Sequence, residues 1–242
     1  MKVVAIIPAA GLGTRMATGA STKSKRLTPS KQFTELNGVP ILIHTLRKFA
    51  DCGEVSEIYI ALRRSEIAGF HARLEKEAKD VLAKNVHLVE GGENRQKSVA
   101  NALAALTCAP DDIVLVHDAV RPFVTQEIIR NVIQAAQKFG AAIAGFPAVD
   151  TLKQVERTSQ GALITATIPR ERTVMAQTPQ GFRYDVLRKA FDEAAVDGFM
   201  GTDEASLVER AGHKVAVVMG SPRNIKITSP ADMELAEFFL HK

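Results

Sequence analysis

The 242-residue sequence has no tryptophan, two tyrosines and two cysteines. Aromatic residues make up only 5% of it. That scarcity argues against the base-stacking platforms that bind single-stranded nucleic acid. Cys52 and Cys108 lie far apart, with no Cys-x-x-Cys pair and no histidine at ligand spacing. Neither a zinc site nor a disulfide framework is expected from them. No apolar run approaches the roughly 18 residues of a spanning helix. The opening MKVVAIIPAAG has one lysine and a short apolar stretch that Pro8 and Gly11 cut off. This is too brief for a signal-peptide core and suits a first strand. A cytoplasmic protein with no membrane contact is expected.

Charge of one sign is not in large excess. The formal net charge is +4, and part of it sits in TKSKRLTPSK, where Lys23, Lys25, Arg26 and Lys31 crowd together. Such a run is either a solvated loop or the footprint of an anionic partner, a phosphate, nucleotide or nucleic acid. Hydrophobic residues at 46% and charged residues at 24% are ordinary for a globular chain.

Short β-branched runs alternate with helical periodicity. KVVAIIP, EIYIALR, NVHLVEGG, DIVLVHD, AAIAGFPAV and KVAVVMG read as strands. Between them lie a helix from about Ser65 with one apolar face to Leu82, a helix over RQKSVANALAALT, and one over 125–139. YDVLRKAFDEA and TDEASLVERAG follow, the second with Thr202 as its N-cap. A last helix starts at SPADMELAEFF, with Ser229 as N-cap and Pro230 at its first position. The alternation predicts an α/β fold, a mostly parallel twisted sheet flanked by helices. One domain over 1–242 is the simplest organisation. The pattern breaks only at 151–170, where two β-like runs around Ser159-Gln160-Gly161 read as a protruding β-arm suited to embracing a second subunit.

Ligands of such sheets bind beyond the carboxyl ends of the strands. PAAGLGTR, EGGENRQKS and HDAVRP fall there. Gly11 and Gly13 are two glycines of a dinucleotide fingerprint, but Met16 takes the third place, and Arg63 and Arg64 stand where the ribose-binding acid belongs. A nicotinamide or flavin oxidoreductase is disfavoured. No Gly-Lys-Ser/Thr completes a P-loop. Read alone, the loop could be a tight turn without a ligand. With Arg15 as a cationic fork and Lys31 in PSKQF, it instead suits a backbone cradle for a triphosphate.

PAAGLGTRM…PSKQF, EGGENRQKSV, HDAVRPF, DTLKQV, AQTPQGF, TDEASLVE and NIKIT, in that order from Val3 to about Leu240, resemble the motifs of the 2-C-methyl-D-erythritol 4-phosphate cytidylyltransferase family of the non-mevalonate isoprenoid pathway. The resemblance implies a Rossmann-like nucleotidyltransferase domain whose β-arm makes a homodimer. It also implies transfer of CMP from CTP to methylerythritol phosphate, with magnesium as the divalent metal and Asp118 as a candidate ligand. Pro8, Ala9, Ala10, Gly11 and Gly13 would wrap CTP. Gly91, Gly92, Glu93 and Ser98 would hold its cytosine and ribose, and Asp118 would sit where nucleotide, metal and acceptor meet. Arg15 and Lys31 would stabilise the pentavalent transition state. Arg121, Thr151, Arg170, Thr178, Thr202 and Lys226 would surround the acceptor, with Arg170 and Lys226 orienting its phosphate. His117 is expected to be a packed or hydrogen-bonded neighbour.

Two departures from the family pattern stand out. Residues 17–30 form a longer connection than usual between the loop and Lys31, and Ser30 interrupts the Pro-Lys pair. In the arm, IPRER replaces Asp-Arg, so Arg172 rivals Arg170. A ribitol 5-phosphate cytidylyltransferase, a sugar-phosphate nucleotidyltransferase, a nucleotide-binding regulator without turnover and a nucleic-acid binder are the alternatives. DTLKQV and TDEAS favour methylerythritol phosphate.

Overall fold

The computed structural model describes residues 1–11, 30–159 and 161–241. The first strand, β1 (Val3–Pro8), is apolar and buried along nearly its whole length. Val3, Ala5 and Ile7 enter one core, and Val4 and Ile6 enter another. A strand buried on both faces belongs in the middle of a sheet covered by helices on each side. A 3-10 turn at Lys31–Phe33 leads to a small hairpin of β2 (Glu35–Leu36) and β3 (Val39–Pro40). Its turn residues, Asn37 and Gly38, have φ of 52° and 75°, the positive values a two-residue type I′ turn requires. Helix α1 (Ile41–Ala50) follows. The hairpin escapes the strand–helix alternation because each of its strands is only two residues long.

Strand β4 (Glu57–Leu62) precedes α2 (Arg64–Glu77) and α3 (Lys79–Leu82). The single apolar face from Ser65 to Leu82 is thus two helices. Ala78 departs from helical geometry at φ −147°, ψ 50°, yet Phe70, Leu74 and Val81 still reach the same core. Then come β5 (Asn85–Glu90), α4 (Arg95–Ala104), β6 (Ile113–Val116), α5 (Gln126–Phe139) and β7 (Ala141–Pro147). Thr125 caps α5 through its hydroxyl, and Gly140 ends it at φ 85°.

The arm is a hairpin, β8 (Leu152–Thr158) paired antiparallel with β9 (Gly161–Ile168). Every described residue of its strands is exposed except Leu152. The chain then returns as β10 (Val174–Arg183) and finishes with α6 (Tyr184–Val196), α7 (Glu204–Arg210), β11 (Ala216–Met219) and α8 (Pro230–Leu240). Helix α8 has the expected Ser229 cap, with Asp232 completing a capping box. The cap of α7 is Asp203, not Thr202. Its carboxylate accepts from the Ser206 amide, and the Ser206 hydroxyl completes the box. Asp203 sits one residue nearer the first helical turn, where a side-chain oxygen can reach that amide.

The seven-stranded sheet has the order β11-β7-β10-β6-β1-β4-β5. It is parallel except for β10, which runs antiparallel to both β6 and β7. No alternation in VMAQTPQGFR announces this strand. Its register slips between Gln177 and Gln180, and polar residues, Pro179 and Gly181 occupy positions that a central strand usually fills with apolar side chains. Helices α1, α2, α3 and α5 cover one face, and α4, α6 and α7 cover the other. A satellite cluster of Leu36, Ile41, Val120, Ile227 and Ala236 joins the small hairpin to α8.

Gly181 lets α5 lie against β10. A Cβ there would sit 2.7 Å from Val132 Cγ1 and 3.0 Å from Leu115 Cδ2. Gly181→Ala is therefore expected to overpack the core by about 1–3 kcal/mol and to lower the melting midpoint by roughly 2–10 °C. Gly53→Ala, whose Cβ meets nothing within 4 Å, should leave it unchanged. Equal midpoints for the two variants in a thermal scan would contradict this packing.

Candidate active site

The loop leaving β1 is held by its backbone. The Ala9 amide donates to the Ala61 carbonyl at 2.8 Å, and the Ala9 carbonyl accepts from the buried Gln32 side chain. The Ala10 carbonyl accepts from Arg63 Nε at 3.0 Å. Beside it, the glycines that end β5 allow a close approach. A Cβ on Gly91 would stand 2.5 Å from Ala10 Cβ, and one on Gly92 would strike Lys97. Ser98 ties this turn to α4. Its hydroxyl accepts from the Gly92 amide at 3.0 Å and donates to the Asn94 carbonyl at 2.8 Å.

The turn after β6 supplies the charge. Asp118 is buried and meets three cations. Arg95 Nε donates to its Oδ1 at 3.0 Å. Lys226 Nζ lies 2.8 Å from Oδ2, and Arg121 Nε lies 3.4 Å from the same oxygen. Arg95 also grips the fully buried Glu204 with one guanidinium nitrogen, at 2.7 and 2.8 Å from its two oxygens. Three cations face two carboxylates, which leaves a positive excess suited to a polyanion. Burial alone would raise the Asp118 carboxyl, but Arg95, Lys226 and Arg121 hold it well below the usual carboxylate range. Burial likewise pushes Glu204 up, opposed by Arg95. Lys226 reaches this point because the next residue, Ile227, is locked in the satellite core and its amide donates to the Val120 carbonyl at 2.9 Å.

Under Asp118 runs a chain of hydrogen bonds with fixed direction. The Asp118 amide donates to Thr178 Oγ1 at 3.1 Å, and the Thr178 hydroxyl lies 3.1 Å from His117 Nδ1. His117 Nε2 meets the Arg121 carbonyl at 3.0 Å. A carbonyl only accepts, so Nε2 carries the proton and Nδ1 accepts from Thr178. Burial pushes His117 down to about 4, so the ring is neutral near pH 7.

One cavity brings Pro8, Ala9, Ala10, Gly11, Lys31, Ser98, Asp118 and Lys226 together. Arg121, Thr178, Gly91 and Gly92 are not among its lining residues; Arg121 and Thr178 brace Asp118 through the bonds above, and Gly91 packs against Ala10. Gly13 and Arg15, with Lys23, Lys25 and Arg26, lie outside the described residues. Glu93, Thr151 and Thr202 are exposed. Arg170 is on the arm, where it donates to the Val149 carbonyl at 3.1 Å and lies 3.8 Å from Glu171. Neither Arg170 nor Arg172 is among the residues that line the cavity.

Sequence reasoning misses Arg95, which lines the cavity, and Glu204, its buried partner. It also misses Gln32 and Gln180. The Gln180 side chain donates to Asp203 and accepts from the Ala205 amide, which fixes the start of α7. Arg95 and Gln32 stand inside the motifs, one or two residues from the assigned Glu93 and Lys31. Glu204 has no signal of its own beyond being a first-turn acid of a helix.

Among the described residues no three His, Cys, Asp or Glu side chains converge as a metal cage. Asp118 is a carboxylate on the cavity wall. Magnesium commonly binds through one or two carboxylates plus substrate phosphates; here both Asp118 oxygens are engaged by Arg95, Arg121 and Lys226. Among the described residues no helix is long and apolar enough to cross a membrane.

A family model described as IspD, 2-C-methyl-D-erythritol 4-phosphate cytidylyltransferase, matches residues 3–242. A protein of that name from Acidobacterium capsulatum is 57% identical over 242 residues, covering 100% of this chain and 98% of its own. Another from Solibacter usitatus is 52% identical, covering 100% and 97%. The crystal structure of 2-C-methyl-D-erythritol 4-phosphate cytidylyltransferase from Thermus thermophilus superposes with a TM-score of 0.76 at 33% identity, covering 100% of both chains. That of the Anaerococcus prevotii 4-diphosphocytidyl-2C-methyl-D-erythritol synthase gives 0.80 at 29%, covering 100% and 99%.

The buried His117 ties stability to pH. Unfolded, it takes a proton below about 6.5; folded, it resists until about 4. Its contribution is complete above pH 6.5 and is lost as pH falls through that window, up to about 3 kcal/mol. The urea midpoint should drop from pH 7 to pH 4.5 by more in the wild type than in His117→Gln. Parallel drops would assign the loss to other groups.

Proposed function

The chain belongs to the family of 2-C-methyl-D-erythritol 4-phosphate cytidylyltransferases, and on that premise we propose how its own residues carry the transfer. The reaction moves CMP from CTP to 2-C-methyl-D-erythritol 4-phosphate and releases pyrophosphate. A phosphate oxygen of the acceptor attacks the α-phosphorus of CTP. A new phosphoanhydride bond forms as the bond to the β-phosphate bridging oxygen breaks, and the electron pair leaves with pyrophosphate. The nucleophile is already an anion, so no strong base is needed. The barrier is the approach of two polyanions.

The observation that carries the reading is the cavity beside the β1 loop that Lys31 lines together with Asp118 and its partners Arg95 and Lys226. In this proposal the backbone of residues 8–11, with Gly13, cradles the triphosphate, and Arg15 and Lys31 stabilise the charge that grows at the α-phosphate. Gly91, Gly92, Glu93 and Ser98 take the cytosine and ribose. Arg121, Thr151, Thr178, Thr202, Arg170 and Lys226 take the acceptor. Asp118, with the phosphates of CTP, would hold magnesium, which when bound supplies charge neutralisation at those phosphates.

A homodimer through the arm belongs to the same proposal. Leu163 and Ile164 are each 65% exposed, an apolar surface that an isolated hairpin does not bury. A second copy would cover it and receive Thr151 and Arg170 from across a two-fold axis. A cytoplasmic setting is also proposed. Both cysteines are free, as a reducing compartment keeps them.

Purified protein with CTP and magnesium should release pyrophosphate with methylerythritol phosphate and far less with ribitol 5-phosphate or glucose 1-phosphate. Preference for ribitol phosphate would overturn the acceptor, and no release with any acceptor would overturn the reaction. Lys31→Ala should lower kcat by about 10²-fold with a smaller change in KM for CTP.

Arg170→Ala should also be nearly inactive. Mixed with Lys31→Ala under conditions of proven subunit exchange, it should recover about a quarter of wild-type activity, because random mixed dimers have one site free of both lesions. Absence of recovery would reject a site shared across the dimer for Arg170, and the same test with Arg172→Ala would then identify the arm arginine.

A further inference from the structure

The Ala10 carbonyl and the Ser30 hydroxyl are anchored to one place, the start of α2. Arg63 and Glu66 stand there, three residues apart, and their charged groups lie 3.9 Å from each other. Arg63 Nε donates to the Ala10 carbonyl at 3.0 Å. Ser30 is buried, 6% exposed, and its hydroxyl donates to Glu66 Oε1 at 2.6 Å. The short distance is that of an O–H bond to a charged acceptor.

Ser30 is the residue before Lys31. It opens the 3-10 turn Lys31–Phe33, and its carbonyl accepts from the Phe33 amide at 2.8 Å. The same turn is fixed from the other side by Gln32, whose side chain donates to the Ala9 carbonyl. Lys31 therefore projects from a turn pinned on both flanks, by Ser30 to Glu66 and by Gln32 to the β1 loop. No turn of regular α-helix holds this stretch. Without the Ser30 anchor, the residue before Lys31 has no side-chain tie to the body of the protein.

Ser30 also occupies the place where the sequence pattern departs from Pro-Lys. A proline limits the backbone by its ring. A serine does not, and it needs a partner to define the same position. Glu66 supplies that partner. Among the described residues its other oxygen, Oε2, is buried without a hydrogen bond. Losing the Ser30 contact would leave neither carboxylate oxygen with a hydrogen bond among the described residues, which makes it costly to remove.

We propose that Ser30 and Glu66 are positioning residues for the transfer step, a buried hydroxyl–carboxylate latch that sets Lys31 against the triphosphate. This rests on the reading of Lys31 as a catalytic residue. The latch touches no substrate. It acts through Lys31, so its loss should appear in kcat and not in the binding of CTP.

The test is a set of kinetic cycles on the full-length enzyme, each protein also checked by thermal midpoint. Ser30→Ala and Glu66→Ala should each lower kcat about tenfold, with KM for CTP changed less than about twofold, as expected when one hydrogen bond to a charged group is lost. Combining them should cost little more than either alone, because they form one contact. Ser30→Thr, which keeps the hydroxyl, should retain most of the activity. In a Lys31→Ala background, Ser30→Ala should have no further effect on kcat. A general folding defect would instead lower kcat in both backgrounds and shift the midpoint.

Wild-type kcat in Ser30→Ala with an impaired Lys31→Ala would overturn the latch and leave the catalytic role of Lys31 standing. Near-normal Lys31→Ala would overturn both. Additive losses in the Ser30/Glu66 pair, or a Ser30→Ala loss undiminished by Lys31→Ala, would also reject the proposal.

Discussion

The arrangement depends on one carboxylate that three cations share. Asp118 is buried, and an isolated charge there would be costly. Arg95, Lys226 and Arg121 make it tolerable. They come from α4, from the stretch before α8, and from the β6 turn itself. One residue therefore registers two distant pieces of chain against its own turn. The same contact keeps like-charged side chains together. Arg95 and Lys226 would repel each other across the cavity if Asp118 and Glu204 did not offset their charge. The positive excess that remains is what a triphosphate and a phosphate acceptor require.

The sheet explains why these pieces meet. β1 and β6 are adjacent and parallel, so the loops leaving them open side by side beyond their carboxyl ends. The antiparallel strand β10 then runs back beside β6. Its bulged centre brings Thr178 beneath Asp118 and Gln180 beneath the start of α7. Thr178 and the neutral His117 ring fix the Asp118 turn from below, while Gln180 fixes the helix that carries Glu204. The polar residues of β10, out of place in an ordinary central strand, serve here as the internal struts of the site. Burial is what makes them effective, since each unsatisfied group would cost about 1–3 kcal/mol.

The arm contrasts with this interior. Its strands pair with each other and leave nearly every described side chain in solvent. A lone hairpin is marginal in water. Its apolar residues are useful only when a further surface meets them, which is the physical support for proposing a second copy. Arg170 stays on that arm, tied to Val149 and Glu171, and in the proposed dimer it would reach a cavity other than its own.

By itself the sequence determined the layer architecture, most strand and helix positions, the arm and the order of the site motifs. Those features follow from local periodicity: β-branched runs for buried strands, 3.6-residue spacing for helices, and glycines where backbones approach. Its motifs also singled out Asp118 and Lys226, which the structure brings into one cavity. It did not disclose β10, because a bulged strand of polar residues has no alternation to read. It assigned the α7 cap to Thr202 when Asp203 makes the bond, since both residues have the right chemistry and only backbone geometry separates them. Arg95, Glu204 and the Ser30–Glu66 contact were decided by the tertiary structure alone. Arg95 and Glu204 are separated by 109 positions, and Ser30 and Glu66 by 36. An ion pair or hydrogen bond between such residues leaves no periodic trace in the chain. It exists only once the sheet has brought the ends of its strands together.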